Sequence, residues 1–217
     1  MKHGKTKVYL IFTAGLFFCS MGVSFVTKAD LGTSPISSIP YVLSLRFPWT
    51  LGEFTIVFSL LLIGLQILIL RKNFKPEDIL QIPVSILFGY FIDLTMLLLK
   101  GLAPSGYPAK ITALLTGCVI LAFGVYLEVL ANVVMLPGES FVRAVSVTWH
   151  KDFGNCKIAF DAAMTFTAAA ISLFSFHTLK GVGEGTILAA FLVGFLARLI
   201  GRLFDRLSDT LTGALSD

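Results

Sequence analysis

Apolar positions fall in six long runs, at about 8 to 26, 54 to 70, 80 to 99, 111 to 134, 158 to 176 and 185 to 204. Each is close to the roughly 20 residues an α-helix needs to cross about 30 Å of hydrocarbon, so the pattern predicts six transmembrane helices. Most connections are short, but 27 to 53 and 135 to 157 are too long for tight hairpins. Each contains an apolar piece with helical spacing: Ile36, Ile39, Pro40 and Leu43 in the first, Phe141, Ala144, Val145 and Trp149 in the second. These predict short half-helices after the first and fourth spans, starting at Ser34 and Pro35 and at Pro137 and Gly138. The stripe suits an amphipathic helix on the membrane surface as well as a segment re-entering the bilayer. Pro40 argues against an uninterrupted helix in the first.

Composition excludes a soluble reading: 56% of residues are hydrophobic, 14% are charged and the mean hydropathy is +0.86, against roughly 25% charged in ordinary globular chains. Six spans fill 217 residues and leave no room for a soluble catalytic or nucleic-acid-binding domain. The excess of bases (17 Lys and Arg against 13 acids) therefore reports topology. With the N-terminus inside, cytoplasmic segments carry Lys2, Lys5, Lys7, Arg71, Lys72, Lys75, Arg143, Lys151, Lys157, Arg198, Arg202 and Arg206; the other side carries Lys28, Arg46, Lys100, Lys110 and Lys180. Twelve against five predicts both termini in the cytoplasm. Lys2, Lys5 and Lys7 before an apolar run resemble a signal peptide, but no small-residue cleavage site follows, so the first span is expected to be retained. Cys19, Cys118 and Cys156 have neither disulfide nor zinc spacing and read as packing residues.

Sliding the chain against itself by 102 residues superimposes Gly22 and Val23 on Gly124 and Val125, Ala29 and Asp30 on Ala131 and Asn132, Pro35 on Pro137, Ser44 on Ser146, Gly52 on Gly154, Ile56 on Ile158 and Phe58 on Phe160. An offset of 105 then aligns Lys75 with Lys180, Ile82 with Ile187, Leu87 with Leu192, Gly89 with Gly194 and Leu94 with Leu199. The Gly, Pro and Lys matches in one register, with both long connections at the same place, predict two repeats, about 8 to 99 and 110 to 204, within a single membrane domain over 1 to 217. Three spans per repeat make the copies inverted, as in many secondary transporters. The expected fold is thus an all-α membrane protein of two inverted three-helix repeats.

Ionisable residues inside spans are costly and mark functional positions or buried pairs. Asp93, Glu128, Asp161 and Arg198 qualify. Asp93 and Arg198 are equivalent under the 105 offset, which predicts either a structural ion pair between halves or a gate that breaks during transport. Glu139 with Arg143, and Lys157 with Asp161, are i, i+4 neighbours that would share a helix face. The candidate substrate-binding residues are Glu139, Arg143, Lys157, Asp161 and Glu184, and the candidate gating or ion-coupling residues are Asp93, Glu128 and Arg198. Plainer roles stand beside these: Lys157 as an interfacial anchor, Glu139 and Glu184 as helix-terminal caps. The charged cluster is not symmetric, since the first repeat has Ser34, Ile36 and Ser59 where the second has Leu136, Gly138 and Asp161. His150 and His177 sit alone at span boundaries and read as solvated. Gly15, Gly22, Gly89, Gly117, Gly124, Gly194 and Gly201, with Ala168 to Ala170, are expected where helices approach closely. No catalytic or metal set is visible.

The run from Gly138 to Ala144, then Phe153, Gly154 and Lys157 to Asp161, then Gly181 to Thr186 leading to Gly194, resembles the YczE/YitT-like bacterial integral membrane proteins, as does the turn Leu31 to Pro35. The resemblance covers essentially the whole chain. It implies a multi-pass protein of the bacterial cytoplasmic (inner) membrane, of a family regarded as candidate transporters, and emphasises Glu139, Arg143, Lys157, Asp161 and Glu184. The expected function is a small secondary transporter or exporter of a polar organic metabolite, anionic in one version, by alternating access between the repeats. The alternatives are the substrate-binding membrane subunit of an energy-coupled vitamin uptake system and a regulatory membrane protein that transports nothing. No enzyme, cofactor or nucleic-acid partner is expected. The expected partners are the bilayer, a small-molecule substrate and, as an open option, a second copy in a homodimer.

Overall fold

The computed structural model describes the backbone of residues 2–214 and the side chains of 6–204. Lys2, Lys5 and Arg206, counted above as cytoplasmic charges, lie outside the described side chains. The described residues form eight α-helices: α1 (Lys2–Lys28), α2 (Pro35–Arg46), α3 (Leu51–Leu70), α4 (Gln81–Leu98), α5 (Tyr107–Ala131), α6 (Pro137–Trp149), α7 (Phe153–Phe176) and α8 (Glu184–Ala214). Two 3₁₀ turns, Arg71–Asn73 and Pro76–Leu80, connect α3 to α4. Among the described residues, six helices are long and apolar enough to cross a membrane.

Local chemistry sets the boundaries. Thr50 caps α3 by accepting the Glu53 N–H (3.1 Å), and the Glu53 carboxylate accepts the Thr50 N–H (2.7 Å), a reciprocal arrangement that fixes the helix start. Asp152 caps α7 by accepting the Asn155 N–H (3.0 Å), which starts that helix earlier than the apolar run suggested. Asn132 adopts a left-handed conformation (φ 47°) and ends α5 at Ala131 rather than 134. Asp30, its counterpart in the 102 register, has φ 54°. His150 and His177 are left-handed caps at the ends of α6 and α7.

The centre of the molecule is the antiparallel pair α1 and α5. A Cβ on Gly22 would lie 2.5 Å from the Leu121 nitrogen, and one on Gly124 would lie 2.5 Å from the Cys19 nitrogen. Farther out, Gly15 faces Glu128 (3.0 Å) and Gly117 faces Val26 (2.8 Å). Glycine is needed because the backbones touch, the small-residue contact expected of helices that pack without a hydrophobic drive. Around this pair, α4 lies on α1 and α8 on α5, while α2 packs against α7 and α6 against α3.

Three expectations need correction. Pro40 lies inside α2, which continues through it; the proline costs one N–H bond to the Ile36 carbonyl, and tertiary burial of the helix outweighs that loss. The stripes predicted for the half-helices are also too narrow. Pro35, Ser37, Ser38, Ile39, Pro40 and Val42 are buried, which wraps most of the circumference, and in α6 the buried residues are Pro137, Gly138, Ser140, Val142 and Ala144 while Trp149 is exposed. Burial grades along each half-helix, from its enclosed start to its open end. Finally, Gly194 and Gly201 are not at close helix approaches: among the described residues, a Cβ on Gly194 would meet nothing within 4 Å beyond its own helix backbone and one on Gly201 only the Tyr126 ring at 3.8 Å.

Candidate functional site

The starts of α2 and α6 meet. A Cβ on Gly138 would collide with the Ile36 side chain, and the apolar cluster of Leu62, Val142 and Phe160, with Ile36, Phe58 and Met164 packed on it, surrounds the junction. Ser34 caps α2 without a side-chain bond to the helix; its hydroxyl donates to Ser37 instead (3.0 Å). The Ser38 hydroxyl donates to the Pro35 carbonyl (2.5 Å) and to the Met164 carbonyl at the middle of α7 (3.4 Å). Pro35 and Pro137 each occupy the first helical position, where a missing N–H costs nothing.

Charge gathers on the α6 side of this junction. Glu139, in the first turn of α6, lies close enough to Lys157 and Asp161 of α7 for their charges to act on it, and close enough to act on Glu128 of α5. Lys157 Nζ binds Asp161 Oδ1 at 2.5 Å, with the two side chains 33% and 17% exposed. The i, i+4 pairing expected of Lys157 and Asp161 therefore forms. Among the described residues, Oε1 of Glu128 is buried without a hydrogen-bonding partner, an expensive condition for a carboxylate oxygen. When all are ionised, Glu139 feels one ammonium and two other carboxylates, Asp161 and Glu128. Such a group gains by taking up a proton or a cation, while the N–H groups at a helix start favour an anion.

A neutral polar cluster anchors α6 from the other flank. Gln66 and Gln81, both fully buried, exchange amide hydrogen bonds (3.3 Å each); Gln66 Nε2 also donates to the Pro137 carbonyl (3.1 Å) and Gln81 Nε2 to Ser140 Oγ (3.1 Å). Sequence reasoning missed both glutamines because it searched the spans for charge alone. Gln66 lies one turn from the end of α3 and Gln81 opens α4, positions where a buried amide demands a partner.

Other predicted pairings are replaced. Arg143 binds Asp78, at 3.3 Å from the turn before α4, and not Glu139: the helix carries Glu139 toward α5 and α7, whereas Arg143 reaches the α3–α4 connection. Asp93 and Arg198 do not pair. Asp93 accepts the Thr50 hydroxyl (2.7 Å) and the Gly52 N–H (2.8 Å) at the start of α3, while Arg198 Nε donates to Gly194 of its own helix (3.1 Å). Packing separates them: α4 lies on α1 and α3, α8 on α5. Glu184 is exposed at the start of α8, away from Glu139. It lines a cleft of about 550 Å³ with Asp30, Tyr41 and Lys180. Beneath that cleft, Thr33 N–H donates to Gly181 (3.2 Å) and Gly185 N–H to Leu31 (2.8 Å), tying the α1–α2 connection to the α7–α8 connection. Among the described residues, no three His, Cys, Asp or Glu side chains gather as a metal-binding set.

The fold and its buried polar centre define a multi-span helical membrane protein. The model of the family of unknown function DUF6198 matches residues 6–202, and the chain belongs to that family. It is similar to the uncharacterized membrane protein YczE of Bacillus subtilis, 28% identical over 200 residues that cover 88% of this chain and 84% of the relative. The uncharacterized protein YyaS of Bacillus subtilis is 23% identical over 186 residues, 85% and 87% of the two chains. No solved structure matches. The YczE part of the expected resemblance is thereby met.

Proposed function

We propose that the protein is a small secondary transporter or exporter that carries a polar organic metabolite with an anionic group by alternating access between two inverted repeats. Contacts that exchange under the repeat register support the inversion. Shifting by 102 turns Gly22 against Leu121 into Gly124 against Cys19, and Gly15 against Glu128 into Gly117 against Val26. The helix pairings exchange likewise: α1 with α4 and α5 with α8, α2 with α7 and α6 with α3. A pseudo-twofold axis crosses α1 and α5 near residues 20–21 and 122–123.

The observation that carries the reading is the contact of Ile36 with Gly138, two positions 102 apart, beside Glu139. From the crossing point to Lys28 is about 11 Å of helix, short of the roughly 15 Å to the edge of the hydrocarbon. Both half-helices therefore start near the midplane and run outward to opposite surfaces, which is the re-entrant arrangement and accounts for their enclosed starts. Helix starts at the midplane beside ionisable groups are where secondary transporters hold substrate and coupling ion. Lys157 and the helix starts receive the anionic group; Glu139, Asp161 and Glu128 carry the coupling proton or cation. Arg143 acts indirectly, by holding Asp78 and the α3–α4 connection. Glu184 belongs to an outer vestibule, and both termini face the bacterial cytoplasm.

The test is uptake into lipid vesicles holding the purified protein, offered a mixture of polar metabolites under a pH gradient of either sign and read by mass spectrometry. Wild-type vesicles accumulate a metabolite, and Glu139→Gln and Asp161→Asn lose it. Wild-type transport by both variants would sink the site, and no accumulation in either gradient would sink the function.

A further inference from the structure

We propose that α7 and α8 form a second gate, open in this structure, which closes through Gly154, Gly194 and an Asp152–Arg198 ion pair, while the gate between α3 and α4 is closed. The inference rests on the alternating-access reading and names the moving seams.

The closed seam is the pattern. Gly52 and Gly89 are buried against each other: a Cβ on Gly52 would collide with the Gly89 carbonyl oxygen and meet the Asp93 carboxylate at 2.6 Å, and a Cβ on Gly89 would strike Ile56. Asp93 then bonds to Thr50 Oγ1 and Gly52 N–H. In the second repeat the same positions are Asp152 for Thr50, Gly154 for Gly52, Ile158 for Ile56, Gly194 for Gly89 and Arg198 for Asp93. The caps correspond as well, since Thr50 holds Glu53 N–H and Asp152 holds Asn155 N–H.

Yet this second set is apart. Among the described residues, a Cβ on Gly194 would meet nothing within 4 Å beyond its own helix backbone, and one on Gly154 would meet only its own cap, Asp152, at 3.1 Å; Ile158 is 66% exposed. No seam comparable to that of α3 with α4 joins α7 to α8. The glycines needed for a backbone contact are present without the contact. The polar partners are complementary: where the first repeat uses a hydroxyl and a carboxylate, the second offers a carboxylate and a guanidinium, each bonded, among the described residues, to its own helix. Bringing α8 onto α7 as α4 sits on α3 sets Arg198 against Asp152 and buries Ile158 on Gly194.

The site follows the same asymmetry. Lys157 and Asp161 of α7 are partly exposed, whereas their counterparts Thr55 and Ser59 of α3 are buried. With the N-terminus inside, the closed seam is the outer gate and the open one is the inner gate, so the conformation faces the cytoplasm.

The experiment uses the full chain in lipid vesicles with Cys156→Ser, so that the remaining native thiols, Cys19 and Cys118, are buried. Asp152→Cys and Arg198→Cys are introduced together and oxidised with copper phenanthroline. A disulfide within one chain is expected, and adding Gly194→Leu should cut its yield at least tenfold while leaving the melting temperature at or above that of the parent. Separately, Asp152→Arg and Arg198→Asp should each slow uptake, and the double exchange should restore it. The gate is overturned by absence of the disulfide, by a disulfide formed only between two chains, or by a yield indifferent to Gly194→Leu. A disulfide in a protein that moves no metabolite leaves the gate standing and overturns the transporter reading; transport without the disulfide does the reverse.

Discussion

The α3–α4 seam and the α7–α8 gap come from matching sequence and differ in packing. In the first, Gly52 and Gly89 are closed over by Asp93; in the second, Gly154 and Gly194 are exposed and Arg198 turns back onto its own helix. The difference teaches that a glycine in a span permits backbone contact without enforcing it. Enforcement comes from the polar group that bridges the seam, because at this partly buried helix start a capped N–H and a carboxylate satisfy each other.

Substitution at the glycines breaks the comparison most strongly. Gly89→Leu must displace Ile56 and the Gly52 backbone, and should cost about 3 kcal/mol or more, beyond the usual overpacking range. Gly194→Leu meets open space and removes a helix-weakening glycine, so it should be neutral or stabilise by up to ~1 kcal/mol. Thermal unfolding of the two purified variants in one detergent checks this, and equal losses would mean that the two seams are alike. Next is Asp93→Ala, which removes an acceptor from Thr50 and Gly52 and should cost about 2 kcal/mol; Arg198→Ala should stay within about 0.5 kcal/mol, by the same measurement. Asp152→Ala should cost about 1 kcal/mol through its lost cap alone, and a loss as large as that of Asp93→Ala would show that Asp152 already bridges helices. The smallest stability effect belongs to Asp161→Asn. Its bond to Lys157 is partly exposed, so discounted for solvent screening it contributes about 0.5 kcal/mol or less; unfolding should barely move while metabolite uptake is lost.

Much of the architecture is legible in the sequence because the bilayer allows few solutions. Six runs of suitable length become six spanning-length helices, since a backbone in hydrocarbon must satisfy its own hydrogen bonds. The i, i+4 pair Lys157 and Asp161 is a local fact of helix geometry and forms as spaced. Asp30 and Asn132, 102 residues apart, both end helices in the left-handed conformation. Helix limits were less legible, because Thr50, Asn132 and Asp152 set them through hydrogen bonds that a hydropathy profile does not contain.

What the sequence determined by itself was the class of protein, the number and approximate limits of its spans and the short roster of ionisable residues. Only the tertiary structure decided who meets whom. Arg143 binds Asp78, Asp93 caps α3, Gln66 joins Gln81, and Glu139 lies near Lys157 and Glu128. These partners are separated in sequence, and positions 105 apart, such as Asp93 and Arg198, make different choices. The physical reason is that hydrophobic periodicity is a local property of one helix facing its surroundings. A buried charge or amide, in contrast, is satisfied by whichever element the packing brings within about 3 Å, and packing is a property of all the helices together.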